Sequence, residues 1–439
     1  MKRAHPKKKV IKDEHIIPRT QHCLSKTDIS ENALKVLNRL NTAGYESYLV
    51  GGSVRDLLLR KVPKDFDITT NATPQQIKKL FRNARIIGRR FKIVHILFYR
   101  EVIEVATFRA SATLHDNLKA NEKGMLIQDN VFGTMEEDIW RRDFTINALL
   151  YDINQSAIID LTGGYQHLRD KTIHIIGDAQ TRYKEDPVRM LRALRFSAKL
   201  EFDMDEATAK PIHSLIHLIQ HVSPSRLFDE ITKLYQCGHA LKAHQLTVQF
   251  GLYQLLLPQT ADVDKQFANQ RTLIQIALEN TDRRIHENKP VTPAFIFAII
   301  LWFPLIALAE KMVAEGQEPL VALEKSMSDV LSNQCQLIAI PKRFTIVIRE
   351  IWLLQYRFTK RVGNRAFQLL NHPRFRAAYD FLAIRALAGD ADMDIADWWT
   401  TFQEASHEDK EAMIAKMQGS PGKKRRRRRA PIKREIKDD

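Results

Sequence analysis

Residues 49–70 read LVGGSVRDLLLRKVPKDFDITT. A short apolar strand, Tyr48 to Val50, runs into Gly51-Gly52-Ser53, which opens a helix from Ser53 through Leu59, and a second strand covers Phe66 to Ile68. Glycines let a backbone approach a ligand closely, and the N–H groups at a helix start favour anions. Gly51, Gly52 and Ser53 therefore make a seat for a triphosphate, and Arg55 adds charge there. Residues i and i+2 of a strand share a face, so Asp65 and Asp67 stand side by side while Phe66 and Ile68 turn to the core. Two adjacent carboxylates repel unless a cation lies between them, and Mg²⁺ is a hard ion held by one or two carboxylates plus substrate phosphates. An Asp-x-Asp pair alone also suits a turn or a helix cap. Joined to the upstream glycine turn, it reads as a metal site.

Outward from this stretch, Glu104 in Val102-Ile103-Glu104-Val105 is a polar residue among apolar ones, either a solvent-facing position or a third metal ligand. The segment Arg141-Arg142-Asp143-Phe144-Thr145-Ile146-Asn147 adjoins an apolar run ending at Tyr151. Asp143 caps a helix there, or takes part in chemistry; Arg142 and Asn147 are placed to reach a ribose hydroxyl and phosphates. In Glu185-Asp186-Pro187-Val188-Arg189, Asp186 as N-cap and Pro187 at the first helical position start a helix. Leu191, Leu194 and Ala198 take one side of it, and Arg189, Arg192 and Arg195 take another beside Asp186. Arginines suit a solvated face; an Asp and an Arg one turn apart also suit a base edge, Asp186 accepting from an exocyclic amine and Arg189 donating to a ring acceptor.

Taken together, GGSVRD, DFDIT, RRDFTIN and EDPVRMLRALRF resemble, in order and spacing, the bacterial poly(A) polymerase and CCA-adding tRNA nucleotidyltransferase family. IIGRRFKIVHI, VIEVATFR, IPKRFTIVIREIW and HPRFRAAYDFLAIRA extend the resemblance over roughly residues 30 to 430, and the C-terminal half looks like the poly(A) polymerase branch. The resemblance implies an α+β chain, with a polymerase β-like nucleotidyltransferase head followed by all-α neck, body and leg domains. The expected division is a basic disordered arm over 1–27, the head over 28–160, the neck over 161–255, body and leg over 256–418, and an Arg/Lys-rich disordered tail over 419–439. It further implies template-independent polyadenylation of RNA 3′ ends with ATP and two Mg²⁺ ions, Mn²⁺ being an alternative, and a role in RNA decay with RNA-decay or RNA-chaperone proteins as partners. Carried over, Asp65 and Asp67 match metal-binding carboxylates, Glu104 lies where a third acid is sought, Asp143 matches the acid of its motif, and Asp186 with Arg189 matches the base-reading pair. Arg192 joins them as a substrate contact. One ion would activate the RNA 3′ hydroxyl and the other would stabilise the departing pyrophosphate. The rival readings are a CCA-adding enzyme, which stops after three nucleotides, and an inactive RNA-binding adaptor. Intact acids at 65, 67, 143 and 186 speak against the adaptor.

Composition agrees with this. The chain has 439 residues, 44% of them hydrophobic and 27% charged, enough apolar material for two or three packed domains. Of the net charge of +16, most sits at the ends. Residues 1–20 carry seven basic and two acidic side chains, and residues 421–439 carry ten basic and three acidic ones, among them Lys423, Lys424 and the run Arg425, Arg426, Arg427, Arg428, Arg429. Such blocks repel and rarely fold, and clustered Lys and Arg release counterions from RNA phosphate; a merely solubilising run is the alternative. Cys23, Cys237 and Cys335 lie far apart without metal-ligand spacing, and Lys7, Lys8, Lys9 and Lys12 replace a signal peptide's apolar core, so a cytoplasmic protein is expected. Val291 to Ala309 lacks charge, but Pro304 would break a membrane span, and a buried helix is expected. Residues 110–130 read as a mobile loop, Asp28 with Glu31 as a capping box before the first helix, and everything after Asp186 as helical.

Overall fold

A computed structural model describes residues 12–88, 92–110, 131–263 and 266–418. The chain forms two compact units. The first comprises 1–261, 281–289 and 334–339; the second comprises 262–280, 290–333 and 340–439.

In the first unit, eight strands form one sheet in the order β1-β8-β7-β2-β3-β6-β5-β4. The strands are β1 (Ile16–Ile17), β2 (Ser47–Val50), β3 (Asp67–Thr70), β4 (Ala84–Ile87), β5 (Ile93–Leu97), β6 (Val102–Thr107), β7 (Leu150–Asp152) and β8 (Ala157–Ile159). All neighbours pair antiparallel except β3 with β6, which run parallel in a register that sets Asp67 opposite Glu104. Against the sheet lie α1 (Glu31–Thr42), α2 (Gly52–Leu58), α3 (Pro74–Leu80) and α4 (Met135–Trp140), with α5 (Gly164–Arg169) beyond it. Helix α1 forms because Ala33, Val36, Leu37 and Leu40 recur at the spacing of one helical face, and all four are buried. Its cap is Ser30, whose hydroxyl accepts from the Ala33 N–H at 3.1 Å; the expected box of Asp28 with Glu31 does not form, because Asp28 instead closes a box with Ser25.

Two further expectations change. Residues 12–27 are not a free arm: β1 pairs with β8, Leu24 is buried, and His22 bonds the Ser156 carbonyl at 3.2 Å. Apolar Ile16 and Ile17, embedded in a basic stretch, supply the pairing that charge counting overlooks. The chain after Asp186 is also not wholly helical, since β9 (Thr172–Ile173) pairs parallel with β10 (Asp203–Met204). Around these lie α6 (Ala179–Glu185), α7 (Val188–Leu200), α8 (Glu206–Leu215) and α9 (Pro224–Tyr235). The loop expected over 110–130 falls, from 111 on, outside the described residues, as do residues 1–11 and the Arg/Lys tail from 419.

The second unit is helical. Its apolar stretch forms Pro293–Ile300 and Trp302–Ala314, bent by 47° at Leu301, with Pro304 in the first turn of the second helix where no intrahelical N–H is lost. Among the described residues no single helix is long and apolar enough to cross a membrane, though this bent pair passes by length and composition. Ile296 to Phe303 are buried, and the Trp352 indole donates to the Ala298 carbonyl at 2.9 Å, so the stretch is core. A second cluster packs Phe358, Phe375, Trp399 and Phe402, with the Trp399 indole donating to the Phe358 carbonyl at 3.0 Å.

Candidate active site

The site is built where β2, β3 and β6 lie side by side. Strand β2 runs into Gly51, whose φ of +74° and ψ of −126° only glycine adopts without strain. A Cβ there would stand 3.6 Å from Arg142 Nη1, so the turn presses against a guanidinium. Ser53 is 1% exposed and its hydroxyl donates to the Val50 carbonyl at 3.1 Å, so it closes the turn from inside.

Across from the turn, Asp67 begins β3, opposite Val50 on one side and Glu104 on the other. Asp65 is exposed just ahead of the strand, and Phe66 and Ile68 are buried as the alternation requires. Burial, then the charges of Glu104 and Asp65, push the Asp67 carboxyl up to about 7, with Arg142 opposing. His95 on β5 lies opposite Glu104, its Nε2 3.5 Å from Glu104 Oε2. Among the described residues no three His, Cys, Asp or Glu side chains converge to enclose an ion. The acids nonetheless suit a cation that completes its shell with phosphate oxygens, because the repulsion felt by Asp67 is what such a cation would relieve.

Arginines face these acids. Arg142 Nη2 donates to Asp138 Oδ2 at 2.8 Å, and Arg182 donates to the carbonyls of Arg141 and Arg142 at 2.7 and 2.6 Å. Burial, with Arg109, Arg142, Arg189 and Arg182 around it, pulls Arg141 down to about 9. Burial and Arg189 pull Arg182 to about 10. Positive groups crowded to that degree favour a polyanion.

Other residues singled out from the sequence are engaged within the protein. Arg55 is 3% exposed, paired with Asp56 at 2.7 Å and donating to Asn147 Oδ1 at 2.6 Å. The Asn147 amide donates to Asp143 Oδ1 at 3.2 Å, and Asp143 Oδ2 accepts from Arg192 Nε at 2.7 Å. Arg192 also approaches Glu230 Oε1 at 3.8 Å. Asp143 thus lies in a chain of bonds from α2 to α7 and α9 and not with Asp65 and Asp67. Its carboxyl is held well below the usual range: burial raises it, and the charge and hydrogen bonds of Arg192, with bonds from Asn147 and the Phe144 N–H, outweigh that. Asp143 does not cap a regular helix either, since the segment that follows is a single 3₁₀ turn, Thr145–Asn147.

Asp186 and Arg189 are joined through the backbone, the Arg189 N–H donating to the Asp186 carbonyl at 3.1 Å, while their side chains take other partners. Asp186 Oδ2 accepts from Arg226 Nη2 at 2.9 Å, while Arg189 Nη1 donates to Glu185 at 3.0 Å and to the Arg182 carbonyl at 2.8 Å. Pro187 already has helical dihedrals, and α7 proper begins one residue later. Asp138, Glu185 and Arg182 were not assigned roles from the sequence. Two of them had a signal: Asp138 precedes Arg142, and Glu185 precedes Arg189, by the four residues of a helical ion pair.

Comparison with known proteins accords with this geometry. A family model for the poly A polymerase head domain matches residues 47–174, one described as a probable RNA and SrmB-binding site of polymerase A matches 201–263, and one for the arginine-rich C-terminus of polymerase A matches 315–433. Poly(A) polymerase I of Escherichia coli O6:H1 is 47% identical over 94% of this chain and 91% of its own. The chain belongs to the bacterial poly(A) polymerase I family. It is accordingly a polynucleotide adenylyltransferase, and its reaction is template-independent polyadenylation. The CCA-adding enzyme of Lactobacillus helveticus is 36% identical over only 57% of this chain and 59% of its own. In fold, this member of the poly(A) polymerase I family is similar to the crystal structure of Bacillus stearothermophilus CCA-adding enzyme in complex with CTP, with a TM-score of 0.58, 24% identity and coverage of 88% and 82% of the two chains.

Proposed function

We propose that the chain extends RNA 3′ ends with ATP, and that Asp65 and Asp67, with Glu104 beside them, hold the divalent cations of a nucleotidyl transfer. The observation that carries this reading is the register of β3 on β6, which lines up Asp67 with Glu104 next to a glycine turn backed by Arg142. Mg²⁺, when bound, neutralises phosphate charge and lowers the pKa of the attacking hydroxyl. The chain itself positions. Gly51 and Gly52 let the triphosphate approach the backbone, and Arg142 meets its charge. The 3′ hydroxyl gives up its proton to solvent, its oxygen bonds the α-phosphorus as the bond to the β-phosphate oxygen breaks, and pyrophosphate leaves toward the arginines.

Asp186 and Arg189 read the base, the one accepting from the adenine amine and the other donating to a ring nitrogen. Arg226 fixes the first, and Glu185 with the Arg182 carbonyl fixes the second. Arg55, Asn147, Asp143 and Arg192 act through this frame, and Ser53 through the turn, as positioning residues. The basic run Lys423 to Arg429 tethers RNA, and the site of action is the cytoplasm.

The test is purified protein with a generic RNA and each nucleoside triphosphate in turn. ATP is expected to be used far better than CTP, UTP or GTP, since a site that hydrogen-bonds a base edge rejects bases that leave its groups unpaired. Asp67→Ala should abolish extension. Near-normal tailing by that variant would remove the metal assignment, and a CCA product on a tRNA lacking its end would install the rival reading.

A further inference from the structure

We propose that Asp138 is a positioning residue for nucleotide binding, whose carboxylate fixes the Arg142 guanidinium between the Gly51 turn and the Asp67 and Glu104 pair. This rests on the reading of Arg142 as a phosphate contact. Asp138 is 6% exposed, a burial that a carboxylate tolerates only when its oxygens are satisfied. Three donors do so: Arg142 Nη2 at 2.8 Å and Thr69 Oγ1 at 3.4 Å on Oδ2, and the Arg109 N–H at 3.3 Å on Oδ1. Thr69 lies on β3 two residues beyond Asp67, and Arg109 follows β6, the strand of Glu104. The strands that carry the acids thereby set where Asp138 stands, and Asp138 in turn sets where Arg142 stands.

The start of α4 is fixed independently, by a capping box in which the Thr134 hydroxyl accepts from the Glu137 N–H and Glu137 accepts from the Thr134 N–H at 2.7 Å. Arg142 needs such a hold. Its Nε is buried with no hydrogen-bond partner among the described residues, and its charge already acts on Asp67. Without the Asp138 carboxylate, the guanidinium would turn to the acids it faces and leave the turn. An arginine side chain also carries much rotamer entropy, which a prior ion pair removes before the ligand arrives.

The experiment measures KM for ATP and kcat in RNA extension for the wild type, Asp138→Asn, Asp138→Ala, Arg142→Ala and the double variant Asp138→Ala/Arg142→Ala, with thermal midpoints for each. Losing a charge-assisted hold predicts KM raised about tenfold in Asp138→Ala, with kcat changed much less, and a smaller rise in Asp138→Asn. Adding Asp138→Ala to Arg142→Ala should leave KM within about twofold, because the two residues then act as one unit. KM does not depend on the fraction of protein that folds, so partial unfolding of a variant cannot imitate this pattern. An equal tenfold rise in both backgrounds, or a lowered midpoint with unchanged KM, would make Asp138 a structural residue and overturn the proposal while sparing Arg142. An unchanged KM in Arg142→Ala alone would overturn the phosphate reading itself, and with it what Asp138 is held to position.

Discussion

At the scale of single residues, burial and like charge displace one carboxyl of the site upward. Asp67 is raised to about 7 by burial and by the neighbouring Glu104 and Asp65 charges, against an ordinary value of 3.8. A carboxyl raised in the folded state adds nothing to or from stability below about pH 4, where it is protonated in both states. It costs progressively more as pH climbs, and the full cost is present above 7. In chelator-treated protein, Asp67→Asn should therefore stabilise the fold at pH 8, on the order of 2 kcal/mol once solvent screening is allowed for. Urea midpoints would show the gain shrinking as pH falls toward 5. A variant less stable than wild type at pH 8 would mean that the acids are not mutually repelled. On the proposed reading of these acids as cation ligands, divalent-ion affinity is expected to fall as pH drops below 7, with proton release on binding measurable by calorimetry in buffers of different ionisation enthalpy.

At the scale of elements, Asp143 and Arg192 join the 3₁₀ turn after Arg142 to α7, the helix that begins beside Asp186. Asp143 is depressed, so its contribution is present above about pH 4 and is lost as pH falls through its lower folded value. Asp143→Ala leaves a part-buried guanidinium with only the more distant Glu230 carboxylate at 3.8 Å, and losing such a charge-assisted pair costs about 2 kcal/mol. Denaturant unfolding at pH 7 should show that loss, together with weakened nucleotide binding, and a loss below 1 kcal/mol would remove the link between turn and helix. The elements that carry the glycine turn and the acids were legible in the sequence. Val50 into Gly51-Gly52, the alternation of Phe66 and Ile68, and Asp186-Pro187 are local signals, and each predicted boundary falls within two residues of the observed one. The partner of Asp143 was not legible, because Arg192 lies 49 residues away and no periodicity joins them. Likewise Ser53, Arg55 and Asn147 have the residue types of a phosphate site, and burial rather than sequence decides that their polar atoms face inward. Glu104 was readable as one of two things, and the parallel register of β3 with β6 puts it beside Asp67.

At the scale of the whole molecule, charge is divided between a nearly balanced body and strongly basic ends. The run from Lys423 follows Gly419, Ser420, Pro421 and Gly422. Truncation before Lys423 is expected to keep the chemical step, weaken RNA binding and shorten tails, because a tethered cationic segment raises the local concentration of RNA at the site. The deficit should shrink as salt rises, each lost phosphate contact lowering the slope of log affinity against log salt by about 0.7. An unchanged slope would place RNA on the helical surfaces instead, for example near Lys342, Arg343 and Arg349. The pairing of β1 with β8 has a different kind of consequence, one of timing. Ile17 meets Ile158, so one edge of the sheet is made from segments of the chain some 140 residues apart. At the 5–20 residues per second of synthesis, the first strand must wait on the order of ten seconds for its partner to emerge. During that interval β2 and β3 can already pair, and the acids can meet soon after, while one margin of the sheet stays open. A nascent chain held with β7 emerged but β8 still inside the ribosome would thus expose an unpaired β7 to other growing chains, and the final strand completes the sheet by covering the edge through which it would otherwise aggregate.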